Sequence, residues 1–115
     1  MKTVKKIAVA MATAGALALG LSTPAHAINE VDCGDRTDFL LVRLPSSDHC
    51  FANAGPIGVD LRDPVLIWGG NNDAIINYVD RVGRGDSIRV NRGQLLRRVD
   101  GSLPDIPRIY EIRIL

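Results

Sequence analysis

The hydrophobic positions form short runs that are separated by turn residues along most of the chain. The runs lie at 39–42, 50–52, 57–61, 65–68, 75–79, 87–90, 95–99 and 109–114, and the last is interpreted as a strict period-2 alternation. Runs of this length, bounded by Gly, Pro, Asn, Asp and Ser, predict β-strands. No window of 12 or more residues after position 28 has helical periodicity. The pattern therefore predicts an all-β sandwich or small barrel of about eight strands.

A faint internal repeat emerges when the chain is shifted by 38 positions. The shift places Asn53 on Asn91 and Gly55 on Gly93, so that an Asn-x-Gly string occurs twice. The other matches are Arg43 on Arg81, Asp48 on Asp86, Leu44 on Val82, Ile57 on Leu95 and Leu61 on Val99. Asn and Gly both tolerate positive φ, which suits a tight turn used twice. A repeated unit of four strands predicts two Greek-key motifs packed face to face.

Residues 1–27 have the three parts of a secretory signal peptide. Three lysines open the chain, 7–21 is an apolar run, and small residues precede an expected cleavage after Ala27. The apolar run is too short and too rich in alanine for a membrane span. We therefore predict a secreted, extracellular protein with one domain at 28–115 and no membrane span after cleavage.

The predicted domain contains two cysteines, Cys33 and Cys50. In an oxidising compartment an even pair predicts a disulfide, and two cysteines allow one pairing. A metal pair and a redox pair are the alternatives, but the spacing is not Cys-x-x-Cys and the domain has a single histidine, His49. Closing this loop should contribute about 3 kcal/mol to a domain whose core is small.

Charge and side-chain chemistry argue against several classes of function. The 88 residues from position 28 carry 11 arginines and 13 acidic residues, a net charge of −2 with the histidine neutral. Because the arginines are scattered, we expect no nucleic-acid or anionic-membrane partner. A disulfide-bonded cysteine cannot be a nucleophile, and the serines lie in turn-like segments without a nucleophile-elbow pattern. Carboxylates from distant positions could still converge in space. We expect no catalytic residues and no enzyme activity.

Several blocks of this sequence match a known family in order. They are Ile-Asn-Glu-Val-Asp-Cys at 28–33, Asp-Phe-Leu at 38–40, Cys-Phe-Ala-Asn-Ala-Gly at 50–55, Gly-Asn-Asn-Asp at 70–73, Gly-Asp-Ser-Ile-Arg-Val at 85–90 and Ile-Arg-Ile-Leu at 112–115. In these blocks the chain resembles the Streptomyces killer-toxin-like protein family, whose members are secreted single-domain βγ-crystallins. The resemblance implies a βγ-crystallin-like sandwich of two Greek keys, a Cys33–Cys50 disulfide and cytotoxicity toward yeasts and filamentous fungi.

The chain departs from that family in two places. At 60–64 it has Asp-Leu-Arg-Asp-Pro where the family is expected to carry a Gly-Trp-Trp-like aromatic patch. Asn71, Asn72 and Asp73 begin like the calcium motif of βγ-crystallins, because a hard cation needs several oxygen ligands. Isoleucines follow where that motif has hydroxyl side chains. The simplest interpretation of this segment is a structural turn between two strands, and the alternative is weak calcium binding. We expect no other cofactor or metal.

The residues and the resemblance together favour a secreted, monomeric, antifungal killer-toxin-like protein. It would act by binding an unknown protein or cell-surface target. One alternative is a secreted protease inhibitor, whose rigid loop is expected at 43–50 or 99–108. Another is a calcium-responsive structural protein of the cell envelope.

Overall fold

The computed structural model describes residues 27–115, and within that range the chain forms nine β-strands and no helix. The strands are β1 (Asn29–Val31), β2 (Leu40–Arg43), β3 (Asp48–Ala52), β4 (Gly55–Arg62), β5 (Leu66–Trp68), β6 (Ala74–Val79), β7 (Gly85–Val90), β8 (Leu95–Arg97) and β9 (Arg108–Ile114). The all-β prediction is confirmed. All eight predicted strands are present, and β1 is one that the hydrophobic pattern did not predict.

The predicted signal peptide lies outside the described residues, apart from Ala27 at its end. In the part of the chain that the structure describes, no helix could cross a lipid bilayer.

The strands form two antiparallel sheets. The first sheet has the order β4-β9-β6-β7, and the second has the order β1-β3-β2-β5-β8. β2 to β5 form the first half of the domain and β6 to β9 form the second half. The first sheet combines β6, β7 and β9 of the second half with β4 of the first half. The second sheet combines β2, β3 and β5 of the first half with β8 of the second half, and β1 is added at its edge. This exchange of strands prevents either half from forming a complete sheet alone.

The internal repeat coincides with this exchange. A shift of 38 positions moves β3 onto β7 and brings the exchanged strand β4 onto β8. In the first copy of Asn-x-Gly both residues have positive φ, 73° at Asn53 and 124° at Gly55. In the second copy Gly93 has a φ of 72°, whereas Asn91 stays outside this region. The repeated string therefore makes related but unequal turns.

Both sheets contribute aliphatic side chains to one core. In the first sheet Ile76, Val90, Ile109 and Ile112 are fully buried, and in the second sheet Leu40, Val42, Phe51 and Ile67 are fully buried. Ile106 adds a further buried side chain from the loop before β9. Because β2 and β6 bury alternate side chains, slipping their pairing by one residue would turn apolar groups outward.

The predicted disulfide between Cys33 and Cys50 is present. It joins the segment after β1 to the middle of β3, with the Cα atoms 5.3 Å apart and a sequence separation of 17. Cys50 is 2% exposed. Since β1 is a three-residue edge strand, the disulfide holds it where three pairs of backbone partners alone would hold it weakly.

A tight corner joins the two halves at Gly70. Its φ is +60°, and a Cβ at this position would collide with the carbonyl oxygens of Phe39 and Asp38. Its own carbonyl accepts a hydrogen bond from the Gly93 backbone N–H at 2.9 Å. The corner needs glycine both for its backbone conformation and for close approach.

Removing the disulfide should destabilise the fold. We expect the Cys33→Ala/Cys50→Ala double variant to lose about 3 kcal/mol of unfolding free energy, because the unfolded chain regains the entropy of an open loop. Urea unfolding of the domain 28–115 measures the loss, and reduced wild-type protein serves as the control. An unfolding free energy equal to that of oxidised wild type would contradict this prediction.

Two glycine variants should separate steric clash from backbone strain. Gly93→Ala, where the added Cβ meets no atom within 4 Å, should cost about 1 kcal/mol for its positive φ. Gly70→Ala combines a similar φ with a backbone collision and should cost about 2–4 kcal/mol. Urea unfolding of both variants tests this, and equal losses would show that the close approach at Gly70 is not tight.

Candidate functional site

The strand β9, one of the two inner strands of the first sheet, contains a β-bulge. Ile109 pairs with Leu61 and Tyr78, whereas the next paired residue is Glu111. Tyr110 lies in the bulge and is 40% exposed. The prediction of strict alternation over 109–114 is therefore wrong, because the bulge inserts one extra residue. As a result two consecutive side chains, Tyr110 and Glu111, lie on the outer face between buried neighbours.

Polar groups from the neighbouring strands surround this position. The Asn77 amide nitrogen donates a hydrogen bond to Glu111 Oε1 at 2.8 Å. Arg108 Nε donates to Asp60 Oδ1 at 2.8 Å. These contacts connect β6 to β9 and β9 to β4, so the side chains are held in defined positions across the sheet. We call Tyr110, Glu111, Asn77, Asp60 and Arg108 the Tyr110 face.

Two glycines leave space near Tyr110 and Glu111. A Cβ at Gly58 would meet no atom within 4 Å, and a Cβ at Gly85 would lie 3.7 Å from the Tyr110 hydroxyl. Gly58 pairs with Glu111, and Gly85 lies at the start of the edge strand β7. The hydroxyl end of the ring therefore lies beside one position without a side chain, and the position paired with Glu111 also has none.

The Tyr110 face carries two carboxylates, Asp60 and Glu111, and one guanidinium, Arg108. The hydrogen bond that Arg108 donates lowers the pKa of Asp60 below its ordinary value, and a weaker contact with Arg62 acts in the same direction. Beneath the face, burial raises the pKa of Tyr78, whose hydroxyl lies 3.4 Å from Asp86 Oδ2. The Tyr110 face thus combines one aromatic ring with paired ions and a hydrogen-bonded amide.

Sequence reasoning named no residue of this face as a candidate. It noted instead that 60–64 lacks aromatic residues, and the structure places Asp60 in the strand beside the one that carries Tyr110. The signal that could have identified the bulge is the spacing of the apolar residues. Ile109 and Ile112 are three positions apart, whereas strict alternation would require two.

The calcium candidates lie in the loop between β5 and β6. Asn72 donates from its amide to the Asp38 carbonyl at 3.0 Å. Asp73 Oδ1 accepts a hydrogen bond from the Arg92 backbone N–H at 2.8 Å. Asn71 is exposed, and its backbone N–H also donates to Asp38. These bonds use the side chains of Asn72 and Asp73 to hold the loop, and calcium binding stays a prediction.

The two loops considered for an inhibitor are both well anchored. The segment 43–50 is a hairpin in which Arg43 and Asp48 pair at 2.8 Å. The segment 99–108 buries Leu103 and Ile106 in the core. The predicted strand 95–99 is shorter than expected, since β8 ends at Arg97 and Val99 lies in a turn. Protease inhibition stays a prediction.

The chain has a fold similar to that of a solved structure. It is the averaged NMR structure of an antifungal protein from Streptomyces tendae Tu901, with a TM-score of 0.65 and 24% sequence identity. The similarity covers 77% of this chain and all of that protein. No protein-family model and no curated protein sequence matches the chain. At this identity the likeness establishes a shared fold.

Replacing Arg108 should raise the pKa of Asp60. Because the native pKa is lowered, this carboxylate favours the folded state above its unfolded pKa of about 3.9, and the contribution is lost as the pH falls. The effect on stability is small because both side chains are exposed. In Arg108→Gln, carboxyl NMR titration should give a higher Asp60 midpoint than in wild type.

Arg113→Gln is the matched control, because Arg113 lies on the same strand and forms no ion pair within residues 27–115. An Asp60 midpoint that stays at its wild-type value in Arg108→Gln, or that shifts equally in both variants, would contradict the assignment.

Proposed function

We propose that this chain is a secreted antifungal protein that binds a component of the fungal cell surface through the Tyr110 face. In this proposal the domain is a monomeric βγ-crystallin-like sandwich of two Greek keys. Binding requires no cofactor, nucleic acid or membrane span.

The observation that carries the proposal is the fold shared with the Streptomyces antifungal protein over that protein's whole length. Two further features support it. The exchange of β4 and β8 between the sheets is compatible with paired Greek keys. The disulfide suits an oxidising compartment, as the predicted signal peptide would require.

The chemistry of the Tyr110 face suits binding. An exposed tyrosine offers apolar area and a polar hydroxyl at little entropic cost, since the side chain has few rotatable bonds. Asn77 and Glu111 already hold one another at 2.8 Å, so they need not be ordered when a partner binds. Gly85 beside the ring and Gly58 opposite Glu111 let a partner approach the backbone. The face therefore combines an aromatic anchor with preorganised polar groups.

Truncating the tyrosine should weaken antifungal action. We expect purified domain 28–115 to inhibit growth of a yeast or a filamentous fungus, and Tyr110→Ala to raise the half-inhibitory concentration by about tenfold or more. Cosedimentation with intact fungal cells should weaken in parallel, because the same contact is lost. Growth assays and cosedimentation of fluorescently labelled protein measure the two effects.

Leu95→Ala is the matched control. Leu95 is exposed to a similar degree, 44% against 40% for Tyr110, but lies on the second sheet. Its truncation should leave both measurements unchanged. Wild-type protein that neither binds nor inhibits at high concentration would refute the function for that fungus, and equal losses in the two variants would refute the face.

A further inference from the structure

A chain of three side chains lies at the rim of the second sheet. Ser47 Oγ is 3.0 Å from His49 Nε2, and His49 Nδ1 is 2.7 Å from Glu30 Oε2. As a carboxylate Glu30 can only accept, so in the neutral imidazole Nδ1 carries the proton. Nε2 is then free to accept the hydrogen bond from the Ser47 hydroxyl. This order of serine, histidine and carboxylate is the one that activates a serine nucleophile.

The fold holds the three residues from two directions. Ser47 immediately precedes β3 and His49 is the second residue of that strand, and their side chains lie on the same side, within 3.0 Å of one another. Glu30 lies on β1 and pairs with Phe51 of β3. His49 is two positions before Phe51, so Glu30 and His49 are diagonal neighbours across the two strands. The adjacent disulfide through Cys50 ties the two strands together. The carboxylate is thereby fixed beside the imidazole by backbone pairing and by a covalent bond.

The surroundings of Ser47 offer space and hydrogen-bond donors. The loop that carries it borders an open groove of 450 Å³, lined by Arg43, Leu44, Pro45, Ser46, Ser47 and Asp48. Within residues 27–115 neither Ser46 nor Ser47 donates a hydrogen bond from its backbone N–H. Free backbone amides next to a nucleophile are the groups that stabilise an oxyanion. The His49 side chain is 25% exposed, so a reactant can reach the pair.

We propose that Ser47, His49 and Glu30 form a reactive-serine site that accepts an acyl group from a small ester. Ser47 Oγ attacks the carbonyl carbon, and its proton moves to His49 Nε2. The bond to the leaving oxygen then breaks, and that oxygen takes the proton from Nε2. Water attacks the acyl-serine and gives a proton to the same nitrogen. The acid is released as Ser47 regains its proton. Glu30 positions the imidazole throughout.

This site differs from the Tyr110 face and from the expectation of a chain without catalytic residues. Sequence reasoning missed it because Glu30 lies 19 positions from His49, and only the pairing of β1 with β3 brings them together. A purely structural role is the competing explanation, in which the same hydrogen bonds anchor the edge strand. Chemical reactivity separates the two, since an anchor does not make Ser47 nucleophilic.

Covalent labelling tests the proposal. A fluorophosphonate probe should form an Oγ–P bond at Ser47 with loss of fluoride, and peptide mass spectrometry identifies the modified residue. Ser46 is the matched internal control, because it lies in the same loop and its side chain makes no hydrogen bond in the described chain. Ser47→Ala should abolish the label, and Ser87→Ala, on β7 in the first sheet, should retain it. His49→Gln should slow labelling by about 10²-fold or more.

A second measurement avoids dependence on variants that fail to fold. For wild-type protein the labelling rate should rise with pH and level off as one group loses its proton. A rate that climbs in proportion to hydroxide would overturn the proposal. So would a label spread equally over Ser46 and Ser47, an unlabelled Ser47, or a folded His49→Gln variant that reacts at the wild-type rate. Release of p-nitrophenol from p-nitrophenyl acetate reports turnover, and Ser47→Ala should lose it.

Discussion

The strand β9 is the constraint on which the rest of the domain depends. It pairs with β4 from the first half and with β6 from its own half, and its buried isoleucines fill the space between the sheets. Because β4 ends at Arg62 and β9 begins only at Arg108, the two strands cannot pair as a local hairpin. The first sheet therefore forms only when distant parts of the chain come together. Such non-local pairing costs loop-closure entropy, which the buried aliphatic side chains must offset.

Eight of the nine strands were predictable, because each of the eight contains a short apolar run between turn residues. The spans of β2, β4 and β6 agree with the predicted runs to within two positions. β1 was missed because Asn29 and Glu30 are polar, and its pairing with β3 is supported by a disulfide instead of by buried side chains. The end of β8 was misplaced because Val99 is apolar yet lies in a turn.

The sites were harder to predict than the strands, since both depend on pairing between distant strands. The bulge places Tyr110 and Glu111 side by side, but only the registers with β4 and β6 add Asp60 and Asn77. Likewise, Ser47 and His49 are close in sequence, whereas Glu30 arrives by strand pairing. The sequence alone contains the residues of each cluster, but it gives few signs of which strands will be neighbours.

The two sites differ in how the fold supports them. The Tyr110 face lies on a strand that has partners on both sides, so opening it requires disruption of the first sheet. The Ser47 cluster combines a hairpin loop with the short edge strand β1, whose position relies on the disulfide. Reduction would therefore loosen the rim before it loosened the centre. An oxidising compartment thus matters more for the reactive serine than for the binding face.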